Sequence, residues 1–355
     1  MKEEYQKYLN FIPGVRFWVI MTGVIIFLAA IKEANAIVNM LLLALLLTAI
    51  SLPPLDWMKK KGVNATIATL LVILFILILM GLTGLVIGSS ANSFVEKLPY
   101  YQQQFDNVWT DLSDWLARFG FIEEGYNPLD DVSPEKILPI AGTFFAGFAN
   151  AMAESLIVFI FFIFMLFEAE TFAKKISYIS KKNSEQTHMT FQRLRKYFGI
   201  KTATSLATGI SITIALLILG VDFPVLWGFL AFVLNFIPSI GSFIAAIPAV
   251  LLAFVQLGPF GALITAVVYF VLNTIIGNVI EPQLMGRNLG ISPLIVFVSM
   301  IFFGYILGPI GMLIATPLTI VIKIILDSQP ITRGLGIMLG DGSDIKEGTI
   351  ERDSI

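Results

Sequence analysis

Residues 223–258 read FPVLWGFLAFVLNFIPSIGSFIAAIPAVLLAFVQLG, and this stretch decides the fold. It opens a run of 100 residues, from Phe223 to Ile322, in which Glu281 and Arg287 are the only charged side chains. A water-facing surface needs many more ionised groups, so we predict that the run lies in lipid. Prolines nevertheless interrupt it at positions 224, 238, 248, 259, 282, 293, 309 and 317. Apolar segments broken by Pro and Gly are typical of transporter cores.

Composition extends this class to the whole chain of 355 residues, of which 57% are hydrophobic. Charged residues make up 14%, against about 25% in soluble domains. We therefore predict an all-α polytopic membrane protein. The sequence has no cysteine and a single histidine, His188, so it offers no thiolate nucleophile, His-based metal cluster or catalytic triad. We predict no catalytic residue, no metal site and no cofactor, apart from Na⁺ or H⁺ as a coupling ion.

Runs without Asp, Glu, Lys or Arg mark the predicted spans. They cover residues 17–31, 34–55, 62–95, 137–153 continuing as 155–167, 202–221, 223–280 and 288–322. Lys and Arg concentrate in 53–62 and 168–201, which the positive-inside rule places in the cytoplasm. The segment 96–136 carries nine carboxylates and three basic residues, so it is predicted outside. We expect a multi-pass protein of the cell (inner) membrane with both termini in the cytoplasm.

The predicted organisation has five parts. They are an N-terminal transmembrane hairpin that acts as a scaffold (1–62), span 3 with an outer amphipathic arm (63–140), span 4 with a basic cytoplasmic amphipathic helix (141–200), the transport core (201–326) and a flexible cytoplasmic tail (327–355). The arm is inferred from aromatic residues at helical spacing, such as Tyr101, Phe105 and Trp109, with aspartates between them. We expect it to continue span 3 and to rest on the membrane surface or on a neighbouring subunit.

Two broken hairpins are predicted inside the transport core, at 223–258 and 293–326. The first breaks around N-F-I-P-S-I-G-S at 235–242 and the second around G-Y-I-L-G-P-I-G at 304–311, which no helix passes intact. In both breaks Ile-Ala follows a glycine by three residues and a proline comes next. One crossing, 260–280, separates the hairpins, so they would enter from opposite faces as an inverted repeat of re-entrant hairpins. A chance similarity of Pro/Gly turns is the alternative.

Polar groups beside these breaks form the predicted substrate or ion site. The residues are Asn235, Pro238, Ser239, Gly241, Ser242, Asn273, Asn278, Gly308, Gly311 and Thr316. Such amides and hydroxyls can bind a solute or can bond only to neighbouring helices. Free backbone groups at helix ends suit anions at N-termini and cations at carbonyls. Thr204, Thr208 and Ser211 share one helix face, which predicts a cavity wall or, equally, close packing of small residues.

Ionisable residues in the apolar core are the candidates for coupling or gating. We assign this role to Glu281 and Arg287, with Pro282 in the turn between them. Glu154 in span 4 is the second choice. Glu281 and Arg287 could also be ordinary interface residues that pair with each other across the turn.

Three motifs resemble the signature of the autoinducer-2 exporter-like family: N-F-I-P-S-I-G at 235–241, E-P-Q-L-M-G at 281–286 and G-x-x-G-x-x-x-A-x-P at 308–317. The resemblance covers nearly the whole chain. It implies a multispan exporter of autoinducer-2 or another small polar solute, assembled as a homo-oligomer of which a pentamer is one form. Some members resemble sodium(lithium)/proton antiporters instead.

The sequence thus predicts a secondary transporter whose hairpins and crossing span shift against the scaffold and expose the site alternately. A sodium(lithium)/proton antiporter using Glu281 is the first alternative, and an oligomeric channel with the tips as its filter is the second. The chain has no P-loop, because Gly334-Leu335-Gly336 lacks a following Lys-Ser/Thr. The predicted partners are a small polar solute or a monovalent cation, the bilayer and further copies of the chain, but no nucleic acid. An enzyme is not expected.

Overall fold

The computed structural model describes residues 13–120, 147, 154–169, 171–172, 175, 178, 184–238, 240–285, 290–327 and 332–342. All regular secondary structure in these ranges is helical, so the predicted all-α fold is confirmed. The helices are α1 (Pro13–Glu33), α2 (Asn35–Lys60), α3 (Ala65–Arg118), α4 (154–169), α5 (Ser184–Leu219), α6 (Pro224–Leu234), α7 (Gly241–Asn273), a π-helical segment (Thr274–Ile280), α8 (Glu281–Met285), α9 (Pro293–Asp327) and α10 (Arg333–Leu339). The predicted residues Ser239 and Arg287 lie outside the described residues.

Several helices have the length and composition of membrane spans. Within the described residues there are five: Asn35–Lys60, Ala65–Asp111, Leu194–Leu219, Gly241–Met285 and Pro293–Asp327. Helix α6 is different, because its 11 residues reach only about 17 Å at about 1.5 Å per residue. The hydrocarbon core of a bilayer is about 30 Å thick. Helix α6 therefore cannot cross a membrane alone.

Helix α3 runs from its apolar span into the predicted arm without interruption. Its 54 residues correspond to about 81 Å at about 1.5 Å per residue. The arm packs on the core, since the ring of Phe105 meets that of Phe254 in α7 edge-on at 6.3 Å. Tyr101 is buried in the same cluster as Trp227 and Tyr269. The expected continuation of span 3 into the arm is therefore observed, with α7 as one surface that receives it.

The two ends of the bundle can be told apart by their polar contacts. At one end, Arg195 of α5 pairs with Asp56 near the end of α2 (2.7 Å), and Glu281 lies close by; we call this the Glu281 end. At the other end, Asp222 follows α5 directly and bonds to Gln256 of α7; we call this the Asp222 end. Helix α5 runs from the first end to the second.

Helices α7 and α9 each contain a sharp corner at a Gly-Pro pair. Gly258 has φ 74° and ψ −173°, and Gly308 has φ 68° and ψ −153°. Side chains rarely tolerate this region, and the following proline begins a new helical segment. The chain folds back at Gly308, because a Cβ added to Gly304 would lie 2.7 Å from Cε of Met312.

The two corners share a sequence repeat, L-G-P-x-G-x-L-I, at 257–264 and 307–314. The backbone conformation at Gly258 therefore recurs at Gly308, whereas Gly241 has no positive φ. This finding corrects the predicted equivalence of the breaks at 235–242 and 304–311. The equivalent of the second break is the corner that ends the first hairpin.

The two predicted hairpins nevertheless run in opposite senses within the bundle. Helix α6 leads away from Asp222 and turns at 235–240 beside the middle of α9, where Ile237 packs against Met300 and Ala315. Helix α9 begins at the Glu281 end, where Ile291 and Tyr197 share a buried cluster. It turns at the Asp222 end, because Asn39 at the start of α2 donates to the carbonyl of Leu307 (3.1 Å). The membrane depth of both turns stays a prediction.

The first part of the tail is helical where the sequence predicts flexibility. The backbone N–H of Ser292 donates to the carbonyl of Leu339 at the end of α10 (3.0 Å). The hydroxyl of Thr332 donates to the carbonyl of Leu326 (2.8 Å). Residues 332–342 are thus docked beside the root of α9, while 343–355 lie outside the described residues.

Candidate transport site

A buried ion pair joins α5 to α8. Nζ of Lys201 lies 2.8 Å from Oε1 and 2.9 Å from Oε2 of Glu281, and the two side chains are only 6% and 14% exposed. The hydroxyl of Thr204, one turn further along α5, lies 3.2 Å from Oε2 of Glu281 and 3.1 Å from the carbonyl of Lys201. The Glu281 carboxylate is thus engaged by Lys201, and its pairing with Arg287 stays a prediction, because Arg287 lies outside the described residues.

A π-helical segment delivers Glu281 to this position. Thr274–Ile280 follows α7 directly and ends immediately before Glu281, and Pro282 is the second residue of α8. Segments of this kind are frequent at functional sites. At the start of the segment, Oδ1 of Asn273 is buried and has no hydrogen-bond partner among the described residues. A buried amide oxygen without a partner in an apolar bundle is available to a bound solute or water.

The break between α6 and α7 is closed by one amide. Nδ2 of Asn235 donates to Oγ of Ser205 (2.9 Å), and its Oδ1 accepts from Oγ of Ser242 (3.3 Å). Asn235 is 6% exposed and Ser205 is fully buried. Gly241 permits the tight turn, since a Cβ there would collide with the carbonyl oxygen of Leu234. We call residues 235–241 the polar tip.

Helix α9 completes the polar surroundings of Glu281. Tyr197 of α5 is buried, interacts electrostatically with Glu281 and lies beside Thr316 of α9, which is also buried. Because Ser205 directly follows Thr204, the ion pair and the polar tip meet on one part of α5. We call this set the polar cluster; its members are Tyr197, Lys201, Thr204, Ser205, Asn235, Ser242, Glu281 and Thr316.

Other residues predicted for the site are not members of the polar cluster. The side chains of Asn278 and Glu154 are exposed. The hydroxyl of Thr208 donates to the carbonyl of Thr204 in its own helix (3.0 Å). At this position the contact therefore agrees with the packing alternative rather than with a cavity wall. Ser211 and Pro238 are half-buried.

Gly308 and Gly311 form the backbone of the corner in α9 and contribute no side chain to the cluster. A Cβ on Gly311 would collide with the carbonyl oxygen of Phe303, so this glycine permits the close approach of the two halves of α9. Both glycines thus shape the hairpin, and the predicted binding role for their backbone groups stays a prediction.

A second polar network, not foreseen from the sequence, lies at the Asp222 end. Oδ2 of Asp222 accepts hydrogen bonds from Lys97 (2.8 Å), from the hydroxyl of Tyr101 (2.7 Å) and from the amide of Gln256. Burial by itself would raise the pKa of Asp222, but these bonds and the charge of Lys97 outweigh it and hold that pKa below its usual value. The network lines an open cleft of about 390 Å³. It links α3 to the start of α6 and to the part of α7 just before the corner at Gly258.

Three residues with clear contacts escaped the sequence analysis: Lys201, Tyr197 and Asn39. Lys201 was counted among the cytoplasmic basic residues. One signal was available, since Lys201 precedes Thr204 by three positions and therefore lies on the helix face that carries Thr204 and Thr208. Nothing local distinguishes Asn39, whose partner is 268 positions away.

Comparisons with known proteins extend over most of the chain. The sequence model of the family described as AI-2E family transporter matches residues 17–330. A candidate transport protein of Haemophilus influenzae is 36% identical over 336 residues, covering 92% of this chain and 96% of that protein. The AI-2 transport protein TqsA of Escherichia coli K12 is 31% identical over 331 residues, with 92% and 96% coverage. The candidate transport protein YhhT of the same organism is 30% identical over 335 residues, with 93% and 95% coverage.

Proposed function

The chain belongs to the AI-2E transporter family, and on that premise we propose that it is a secondary transporter that exports a small polar solute resembling autoinducer-2. The observation that carries the proposal is the polar cluster, which is buried where α5, the polar tip, α8 and α9 meet. Polar groups in an apolar bundle cost free energy unless they are bonded, and those in membrane segments default to a functional role. The name of the relative TqsA makes autoinducer-2 the first solute to test.

Two groups of helices hold the cluster between them in this proposal. Helices α5 and α6 approach through backbone, since a Cβ on Gly209 would lie 2.7 Å from the carbonyl oxygen of Gly228. Close contacts of this kind join membrane helices firmly. Helix α9 is attached to the N-terminal hairpin through Asn39 and through Lys32, whose Nζ lies 3.6 Å from the ring centre of Tyr305. Helix α5 also meets this hairpin, through the pair of Arg195 and Asp56 at the Glu281 end.

Alternating access would follow from a rocking of these two groups. The polar tip moves with α5 and α6, and α9 moves with α1 and α2. The apolar contact of Ile237 with Met300 and Ala315 forms the seam between them. A re-entrant placement of the polar tip is supported by the shortness of α6, and Lys59, Lys60 and Lys61 at the end of α2 support a cytoplasmic Glu281 end.

Counterflow in liposomes tests the proposal. Purified protein is reconstituted with unlabelled autoinducer-2 inside, and the entry of labelled autoinducer-2 is followed over time. We expect saturable, exchange-accelerated entry in the wild type and a loss of at least about tenfold, or about 1.4 kcal/mol, in Glu281→Gln and Asn235→Leu. Asn278→Leu is the matched control, since it makes the same change at an exposed amide and should retain wild-type flux.

Other outcomes would favour the alternatives. Unsaturable flux would favour an oligomeric channel, and proton movement on addition of sodium, lost in Glu281→Gln, would favour the sodium(lithium)/proton antiporter. Wild-type counterflow in both site variants would remove the polar cluster from the mechanism. Homo-oligomerisation stays a prediction and is read from the mass of the purified protein in detergent.

A further inference from the structure

We propose that Lys201 is a tethered cation, whose ammonium group fills the position against Glu281 that an alkali metal ion would take. The wild-type site then binds neither sodium nor lithium. The inference rests on the proposed function, because it specifies the ion chemistry of the same cluster. It also argues against the sodium(lithium)/proton alternative.

The first argument for a tethered cation is the geometry around the Glu281 carboxylate. Nζ of Lys201 lies within 2.9 Å of both carboxylate oxygens, and Oγ1 of Thr204 adds a third oxygen 3.2 Å from Oε2. An ammonium and an alkali ion are both monovalent cations that bind oxygen. They therefore compete for the same pair of carboxylate oxygens, and here the ammonium is part of the chain.

Burial carries the second step. The Lys201 side chain is 6% exposed, so it cannot swing into water without rearrangement of the helices around it. The remaining member of the cluster at the carboxylate, Tyr197, is a neutral phenol that is also buried. An ion arriving from solution would thus meet an occupied carboxylate.

Charge balance carries the third step. Within the described part of the cluster, Glu281 supplies the one negative charge and Lys201 the one positive charge, so the pair is neutral. An alkali ion would add an uncompensated positive charge close to the ammonium in an apolar bundle, which Coulomb repulsion and desolvation both oppose. The nearby pair of Arg195 and Asp56 is also neutral and offers no compensation.

Removal of the tethered charge should create the missing ion site. Lys201→Met keeps a long apolar side chain but leaves Glu281 with Thr204 and Tyr197 as oxygen-bearing neighbours. A sodium or lithium ion can then neutralise the carboxylate, with a proton as its competitor. Mildly alkaline pH suppresses the competitor.

Binding of radioactive sodium to the full-length protein in detergent tests this inference at mildly alkaline pH. We expect no saturable binding in the wild type and none in Lys201→Arg, which keeps a cation. Lys201→Met should gain saturable binding that lithium displaces, and Lys201→Met with Glu281→Gln should lose it again. Replacing choline chloride by sodium chloride should raise the thermal midpoint of Lys201→Met alone.

Two results would overturn the inference. One is saturable sodium binding in the wild type that disappears in Glu281→Gln, a measurement that needs no folded lysine variant. The other is a folded Lys201→Met, or Lys201→Gln if the first does not fold, that binds no sodium or lithium. These measurements contain no autoinducer-2, so failed counterflow of autoinducer-2 would refute the proposed function and leave the sodium-binding results unaffected.

Discussion

The polar tip at 235–241 and the corner at Gly308 both reverse the chain, yet they are closed in different ways. The polar tip connects the end of α6 at Leu234 to the start of α7 at Gly241 and is bridged to α5 by Asn235. The corner turns at a single glycine with φ 68°, followed directly by Pro309. A turn built on one glycine and one proline needs no polar side chains of its own, whereas the longer turn brings an amide and hydroxyls into the bundle.

The partners of the two asparagines make the same distinction. Asn235 exchanges hydrogen bonds with the hydroxyls of Ser205 and Ser242, groups that a solute hydroxyl can replace. Asn39 donates to the carbonyl of Leu307, one of the acceptors that a helix end leaves without a partner. We therefore assign the polar tip to the proposed transport site and the corner to the scaffold that holds it.

Substitution of the glycines in the two turns should give the largest difference in transport and stability between them. Gly241→Leu should abolish counterflow and lower the thermal midpoint most, because its Cβ collides with the carbonyl of Leu234. Overpacking of this kind costs about 1–3 kcal/mol or more. Gly308→Ala has open space around its Cβ, so it should cost only the strain of a backbone conformation that is nearly exclusive to glycine, about 1–3 kcal/mol.

The control for both substitutions is Gly88→Leu in α3, which also has nothing within 4 Å of its Cβ. It should leave flux and midpoint unchanged. If Gly241→Leu transported like the wild type, the polar tip would be a structural turn and the distinction between the two turns would fail.

A smaller effect on stability, but a sharper test of function, comes from the same substitution at both asparagines. Asn235→Leu should abolish counterflow, since it removes the bridge between α5 and the polar tip. Asn39→Leu should keep counterflow but lower stability by about 1–3 kcal/mol, because the carbonyl of Leu307 loses its donor. Thermal midpoints and initial rates are measured on the same preparations. Equal losses of transport in the two variants would contradict the separate roles.

Local chemistry explains what the sequence could predict. Pro238 and the Gly308-Pro309 pair exclude a continuous helix, so the breaks were predicted at 235–242 and 304–311, and both are observed. The charge-poor run from 223 to 322 likewise sufficed for the fold class. These signals depend on a few adjacent residues and need no knowledge of the packing.

Contacts between distant residues explain what was missed. Lys201 and Glu281 are 80 positions apart and Asn39 and Leu307 are 268 apart, so no periodicity relates them. The repeat of L-G-P-x-G-x-L-I was visible in the sequence, but its meaning depends on the matching φ and ψ at Gly258 and Gly308. Motif similarity alone therefore matched the break at 304–311 to the one at 235–242, whereas the backbone conformation matches it to the corner at Gly258.

The ion pairs at the ends of the two hairpins give the smallest expected effect on stability. At the end of the second hairpin, Lys323 pairs with Asp327 inside one helix. At the start of the first hairpin, Asp222 instead links α3 to α7 through Lys97 and Gln256. The folded-state pKa of Asp222 lies below its ordinary value of 3.8, so its stabilising contribution is present above pH 3.8 and is lost as pH falls through the lowered pKa.

Asp222→Asn should therefore lower stability near neutral pH by about 1 kcal/mol, a modest value because the side chain is a quarter exposed and screened by water. The difference from the wild type should shrink as pH falls from 3.8 through the lowered pKa of Asp222, below which the protonated carboxyl resembles the amide. Thermal midpoints in detergent across this pH range measure the effect. Asp106→Asn, the same change at an exposed position of the arm, is the control and should leave the thermal midpoint unchanged. If the thermal midpoints of Asp222→Asn and the wild type changed with pH in parallel, the ionised carboxylate would not be what holds the arm to the first hairpin.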